Sequence, residues 1–123
     1  MRGSLSPETR LAVALEGLNC SQRAFAAIFD LQYSKFAAVM ADTSGVKSFS
    51  KEESDQMAER VQEMVGLQRD VNKIHGVPTP LNWNDSRIGT VLVIRRVAAL
   101  DKEIGRHTLD ELASLETERI ARQ

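Results

Sequence analysis

Residues 21–43 read SQRAFAAIFDLQYSKFAAVMADT, and whether they form two helices joined at Asp30 decides the fold. Ser21 can accept a hydrogen bond from the free amides of a first helical turn. Phe25, Ala26 and Phe29 then recur at three- and four-residue spacing, which places them on one helix face. Asp30 interrupts the pattern. After Leu31 a second segment directs Phe36, Val39 and Met40 inward and leaves Gln32, Tyr33, Lys35 and Ala38 largely on the other side. The outer side is polar but hardly charged.

The flanks continue in helices. Ser6-Pro7-Glu8 is a helix start, because serine caps, proline suits the first turn and glutamate favours the positive end. Leu11, Val13, Ala14 and Leu18 supply the apolar side, and Gly17 and Asn19 weaken the end near Leu18. On the other flank, Ser44-Gly45 with Ser48 marks a loop, and Ser50 with Glu53 makes a capping box that opens a longer helix. Met57, Val61, Met64, Val65 and Val71 form its apolar stripe, opposite a mainly acidic exterior of Glu52, Asp55, Glu59, Arg60 and Glu63.

His75-Gly-Val-Pro-Thr-Pro80 is the clearest break, since each proline drives its predecessor out of the helical region. Beyond it Asn82, Asn84 and Asp85 are candidate caps for the run Ile88 to Leu100. Thr90 to Ile94 is β-branched enough for a buried strand, but Ala98-Ala99-Leu100 extends the run with strong helix formers, and a helix is expected. Thr108 with Glu111 suggests another capping box, and Leu109, Leu112, Leu115 and Ile120 a last amphipathic helix. The chain therefore reads as all-α, with residues 5–74 as one domain and 81–123 as a helical extension. Val91, Val93, Ile94 and Val97 point several ways around their helix. They are either the centre of a monomer core or the interface of a homodimer.

With 123 residues, 42% of them hydrophobic, 27% charged and 5% aromatic, the composition is that of a globular protein poor in sheet formers. A formal net charge of -1 provides no global field toward a polyanion, so any nucleic-acid binding has to come from a local patch. No apolar run is long enough for a bilayer and the N-terminus lacks a signal-peptide core, so a cytoplasmic protein with no membrane contact is expected. The single cysteine, Cys20, fits a reducing compartment, and a nucleophilic pair of Cys20 with a histidine has no supporting oxyanion loop or orienting residue in the sequence. His75 and His107 lack ligand spacing to a carboxylate and another histidine, so no metal, cofactor or catalytic residue is expected. Trp83 reads as an anchor holding the proline-bearing segment to a core, or else as a hot spot for a partner.

Gln22, Ala26, Leu31, Phe36 and Val39 stand at the spacing Gln-x-x-x-Ala, apolar turn exit, and two apolar residues of a following helix. In this the chain resembles the lambda repressor-like (Cro/cI-type, Xre-like) helix-turn-helix family, over Ser6 to about Asp70. Asp30 stands where the family usually has a turn glycine, and aspartate enters the left-handed region more readily than most residues. The resemblance implies that residues 5–74 are a DNA-binding domain. Gln32, Tyr33, Ser34, Lys35 and Ala38 would then face base edges in the major groove, with Gln22, Arg23 and Lys47 on phosphates. It implies a sequence-specific transcriptional regulator of phage or bacterial type, a repressor that binds double-stranded DNA at a palindromic operator as a homodimer. The alternative is a protein-interaction module, an antitoxin or phage-encoded inhibitor, whose Trp83 to Gln123 region binds a partner protein.

Overall fold

The computed structural model describes residues 5–100 and 106–122, and the side chains of Arg106 and of His107, expected not to be a metal ligand, lie outside what it describes. Among the described residues there are six helices and no strand: α1 Pro7–Gly17, α2 Gln22–Ile28, α3 Tyr33–Ala41, α4 Lys51–His75, α5 Ser86–Leu100 and α6 Arg106–Ala121. The all-α class holds, and Thr90 to Ile94 lies within α5. Among the described residues no helix is long and apolar enough to cross a membrane. The chain divides into two compact units, before and after the Gln62/Glu63 junction inside α4. The proline-bearing break falls within the second unit, as the connection between α4 and α5.

In the first unit, local chemistry sets the helix ends. The Ser6 hydroxyl accepts the Thr9 N–H at 3.2 Å, and Ser21 does the same for Ala24 at 3.0 Å. α1 ends where Asn19 turns to φ 57, with the Cys20 N–H on the Leu15 carbonyl at 2.9 Å. The capping box at Ser50 is complete: its hydroxyl accepts the Glu53 N–H at 3.1 Å while its own N–H donates to the Glu53 carboxylate at 2.8 Å. Glu8 of α1 accepts the Phe49 N–H at 2.7 Å and ties the loop before α4 to the first helix. The core gathers Leu11, Leu15, Phe25 and Phe36 with Met57 of α4. Phe25 meets Phe29 and Phe36 with ring centroids 5.0 and 5.5 Å apart, and Phe36 stacks on Phe49 at 6.1 Å. Val13 is exposed rather than inward, because Leu11 and Leu15, one turn apart, define the buried row of α1.

In the second unit, Met64, Leu67 and Val71 of α4 are buried, with Leu81 and Trp83 of the connection. That connection is fastened to α4: Gln68 donates to the Thr79 carbonyl at 2.6 Å, and the Thr79 N–H donates to Asn72 at 2.8 Å. Asp85 opens α5 by accepting the Arg87 N–H at 2.9 Å and its guanidinium at 2.8 Å, and the Arg87 side chain in turn holds the carboxyl below its ordinary pKa. α5 and α6 pack against each other. They run antiparallel, since Asp85 shares a cavity with Ile120 and Ala121, whereas Ala98 shares another with Asp110 and Ala113. His75 closes the far end of α4 through Nε2, which donates to the Ala121 carbonyl at 2.5 Å.

Two sequence readings change here. α6 begins at Arg106, so Thr108 lies inside its first turns and is not its cap. Its buried face is Ala113, Thr117, Ile120 and Ala121, while Leu112 and Leu115 are exposed. Small residues let helices approach closely, and Thr117 meets its burial by donating its hydroxyl to the Ala113 carbonyl at 2.7 Å.

Arg95 of α5 pairs with Asp70 of α4, and Arg96 pairs with Glu63 at 2.7 Å. A Cβ at Gly66 would stand 3.1 Å from the Arg95 guanidinium. Two effects compete in Gly66→Ala. Alanine in a helix interior is favoured by about 1 kcal/mol, and a half-exposed ion pair whose arginine tip can move is worth about 0.2–1 kcal/mol at most. Gly66→Ala is therefore expected to stabilise the second unit, raising the urea midpoint at an unchanged denaturant slope. A lowered midpoint would show that Arg95 cannot yield.

Candidate nucleic-acid interface

The turn between α2 and α3 is built around Asp30, whose φ is 54. The Leu31 N–H donates to the Ala26 carbonyl at 2.8 Å across it, and Phe29 and Asp30 close the last turn of α2 on Phe25 and Ala27 at 3.2 and 3.4 Å. Ala26 is buried, and its small side chain permits the close approach of the following segment. The conformation is the left-handed one that aspartate adopts more readily than most residues.

α3 starts at Gln32 without a side-chain cap, so the amides of its first turn have no side-chain oxygen of their own. Gln32, Ser34 and Lys35 are exposed there, whereas Tyr33 and Ala38 are half-buried. Arg23, exposed on the first turn of α2, lies over the Tyr33 ring with its guanidinium carbon 4.2 Å from the centroid. The contact brings together two residues expected on opposite sides of the turn, one at phosphate and one at base edges. Gln22 is half-buried beside Arg23 in sequence.

Lys47 is exposed on the loop after α3. Asp42 organises that loop, accepting the Ser44 hydroxyl at 2.6 Å, the Ser44 N–H at 2.8 Å and the Lys47 N–H at 2.5 Å. The Ser44 hydroxyl, followed by the Lys47 amide, holds the Asp42 carboxyl below its usual range. Asp42 is thus anionic near neutral pH beside Lys47 and offsets part of that cation's field.

The other predicted positions are dispersed. Val91 is fully buried and belongs to the core of the second unit, so it is not part of a free face; Ile94 is half-buried, and Val93 and Val97 are exposed. Trp83 is 3% exposed, which makes it an anchor rather than a surface hot spot. Cys20 is buried, donates to the Ser21 carbonyl at 3.4 Å and has its thiol pushed up to about 11 by desolvation, so it stays a neutral thiol. Among the described residues no three His, Cys, Asp or Glu side chains gather as a metal-ligand set. A cleft of about 510 Å³ in the second unit carries both signs of charge, including Asp70, Lys73, Arg95 and Glu118, but Asp70 is already engaged by Arg95. No family model, curated protein or solved structure matches this chain.

Proposed function

We propose that the chain is a sequence-specific DNA-binding regulator, a repressor of the helix-turn-helix kind, in which α2 and α3 form the reading motif and two copies act on a palindromic operator. The observation that carries the reading is the left-handed turn at Asp30, closed by Leu31 on Ala26, with the polar first turn of α3 left exposed beyond it. Gln32 has the donor and acceptor pair that matches adenine, Ser34 can do either, and Lys35 matches guanine or phosphate. Arg23 and Lys47 are the phosphate ligands, and Tyr33, backed by Arg23, supplies a flat contact.

Electrostatics sets the expected behaviour. Arg23, Lys35 and Lys47 give few cations per copy, so a pair neutralising about six phosphates should lose affinity with a log–log salt slope near -5. A gel shift on the DNA upstream of its own coding sequence, run at several salt concentrations, tests this. The double change Gln32→Ala, Lys35→Ala is expected to weaken binding by at least roughly 1,000-fold, because it removes two contacts in each of two copies at about 1–3 kcal/mol per contact, and to make the salt slope shallower. Binding that ignores the double change would sink the direct-readout reading. A second reading, a protein-interaction module working through residues 83–123, is favoured by the exposed Val93, Val97 and Leu100, although buried Trp83 leaves that region without its aromatic anchor.

A further inference from the structure

Within the first unit, α1 and the first half of α4 leave a groove of about 210 Å³ between them. Leu11 and Met57 are its buried apolar residues, and Ala14 and Ala58 line it where larger side chains would fill it. Arg10 and Ala14 stand one turn apart on α1, as Ser54, Ala58 and Gln62 do on α4, so each helix turns a single row to the groove. Of the described residues that line it, Arg10 alone is charged. Its Nη1 donates to the Leu5 carbonyl at 3.0 Å, which holds the guanidinium in place, and among the described residues no carboxylate pairs with it. Glu8, two residues earlier, accepts the Phe49 N–H and does not line the groove. The Ser54 hydroxyl and the Gln62 side-chain amide line it too, and neither makes a hydrogen bond to another described residue.

From this we infer that the groove between α1 and α4 is a binding site for a small aromatic monocarboxylate, one ring bearing one carboxylate. The charge selects an anion. With only Nη1 committed, the Arg10 guanidinium keeps the planar fork that matches a carboxylate, and no acidic side chain of the lining competes for it. The apolar part selects a ring. The Met57 thioether and the Phe49 phenyl both border the groove, and sulfur and ring edges favour a flat aromatic neighbour. Ser54 and Gln62 are the neutral groups that orient a polar end in an otherwise apolar site. The volume sets the size. At about 30 Å³ per water the groove has room for roughly seven waters, which a single ring with its carboxylate occupies and a peptide segment exceeds. A ligand of about nine non-hydrogen atoms binds in the millimolar range at ordinary efficiency per atom. The site makes no use of the turn at Asp30, so it goes beyond the DNA-binding reading and stands or falls separately from it.

Titration of the full chain with sodium benzoate, at ionic strength matched with sodium chloride and followed by methyl-region NMR, tests the site. The Leu11, Met57 and Val61 methyl signals are expected to shift saturably in the millimolar range. Benzyl alcohol, the same ring without the charge, should bind about 10-fold more weakly, and acetate, the charge without the ring, should give no saturable shift. Arg10→Gln is expected to abolish the preference for benzoate over benzyl alcohol while the rest of the spectrum is unchanged. Ala58→Phe, which fills the groove from an exposed position, should abolish binding of both. As an independent measurement, benzoate should raise the urea midpoint of the parent by mass action and leave that of Arg10→Gln where it is. Benzoate that shifts none of these methyls, that binds no better than benzyl alcohol, or that binds Arg10→Gln as tightly as the parent overturns the inference. A chain that binds benzoate at this groove but no DNA upholds the site and overturns the reading above, whereas DNA binding without benzoate binding does the reverse.

Discussion

Phe25→Ala is expected to remove a large part of the stability of the first unit. The side chain is 0% exposed and contacts Phe29 and Phe36 at 5.0 and 5.5 Å, and through Phe36 it is connected to Phe49. Truncating a buried phenylalanine costs about 3–5 kcal/mol, as lost transfer energy plus the cavity left behind. A unit of this size, at about 0.05–0.15 kcal/mol per residue, has only roughly 3–9 kcal/mol in all. The deletion therefore uses up from about a third to all of that margin. Urea denaturation followed by far-UV circular dichroism measures the loss, and Phe25→Leu, which keeps most of the volume, should cost far less. A shift below about 1 kcal/mol for the alanine variant would mean that the aromatic chain Phe25–Phe36–Phe49 is not what holds α2, α3 and the loop before α4 together. On the proposed function, DNA binding should disappear with the fold in this variant even though no exposed residue has changed.

Where the controlling interaction was local, the sequence was readable. Ser6, Ser21 and Ser50 act within four residues of themselves, and each caps as its side-chain chemistry predicts. Asp30 was legible for the same reason, because the break in apolar spacing and the tolerance of aspartate for positive φ coincide at one residue. Long-range geometry was not legible. Phe49 lies in a serine-flanked loop with no periodicity to mark it, yet it stacks on Phe36. Leu67 is fully buried between the stripe positions that spacing picks out on α4. On α6 apolar spacing points to the large residues Leu112 and Leu115, whereas the helix buries Ala113 and Thr117, because hydrophobicity ranks size and close helix packing selects smallness. In the candidate interface, residue chemistry was visible from the start, but the Arg23–Tyr33 contact joins two helices and exists only once the turn has formed.

Trp83→Ala is expected to cost the second unit about 3–5 kcal/mol, the range for truncating a buried tryptophan or phenylalanine. The indole is 3% exposed in a connection that otherwise holds through Leu81 and the contacts of Thr79 with Gln68 and Asn72. Those hydrogen bonds fasten the connection to α4 before Trp83 and Asp85 then starts α5 after it, so the indole is the apolar weight between two polar fixings. Its loss should loosen the start of α5, raising hydrogen-exchange rates at Arg87 to Val91 more than at the middle of α4. Because Trp83 is the only tryptophan of the chain, its emission in the unaltered protein should be blue-shifted and should move to the red in the same urea transition that circular dichroism reports for this unit. The contrary result has a distinct signature. If Trp83→Ala leaves stability within about 0.5 kcal/mol of the parent while abolishing binding to a protein partner, the indole is a recognition anchor, and the interaction-module reading of residues 83–123 gains what the DNA-binding reading loses.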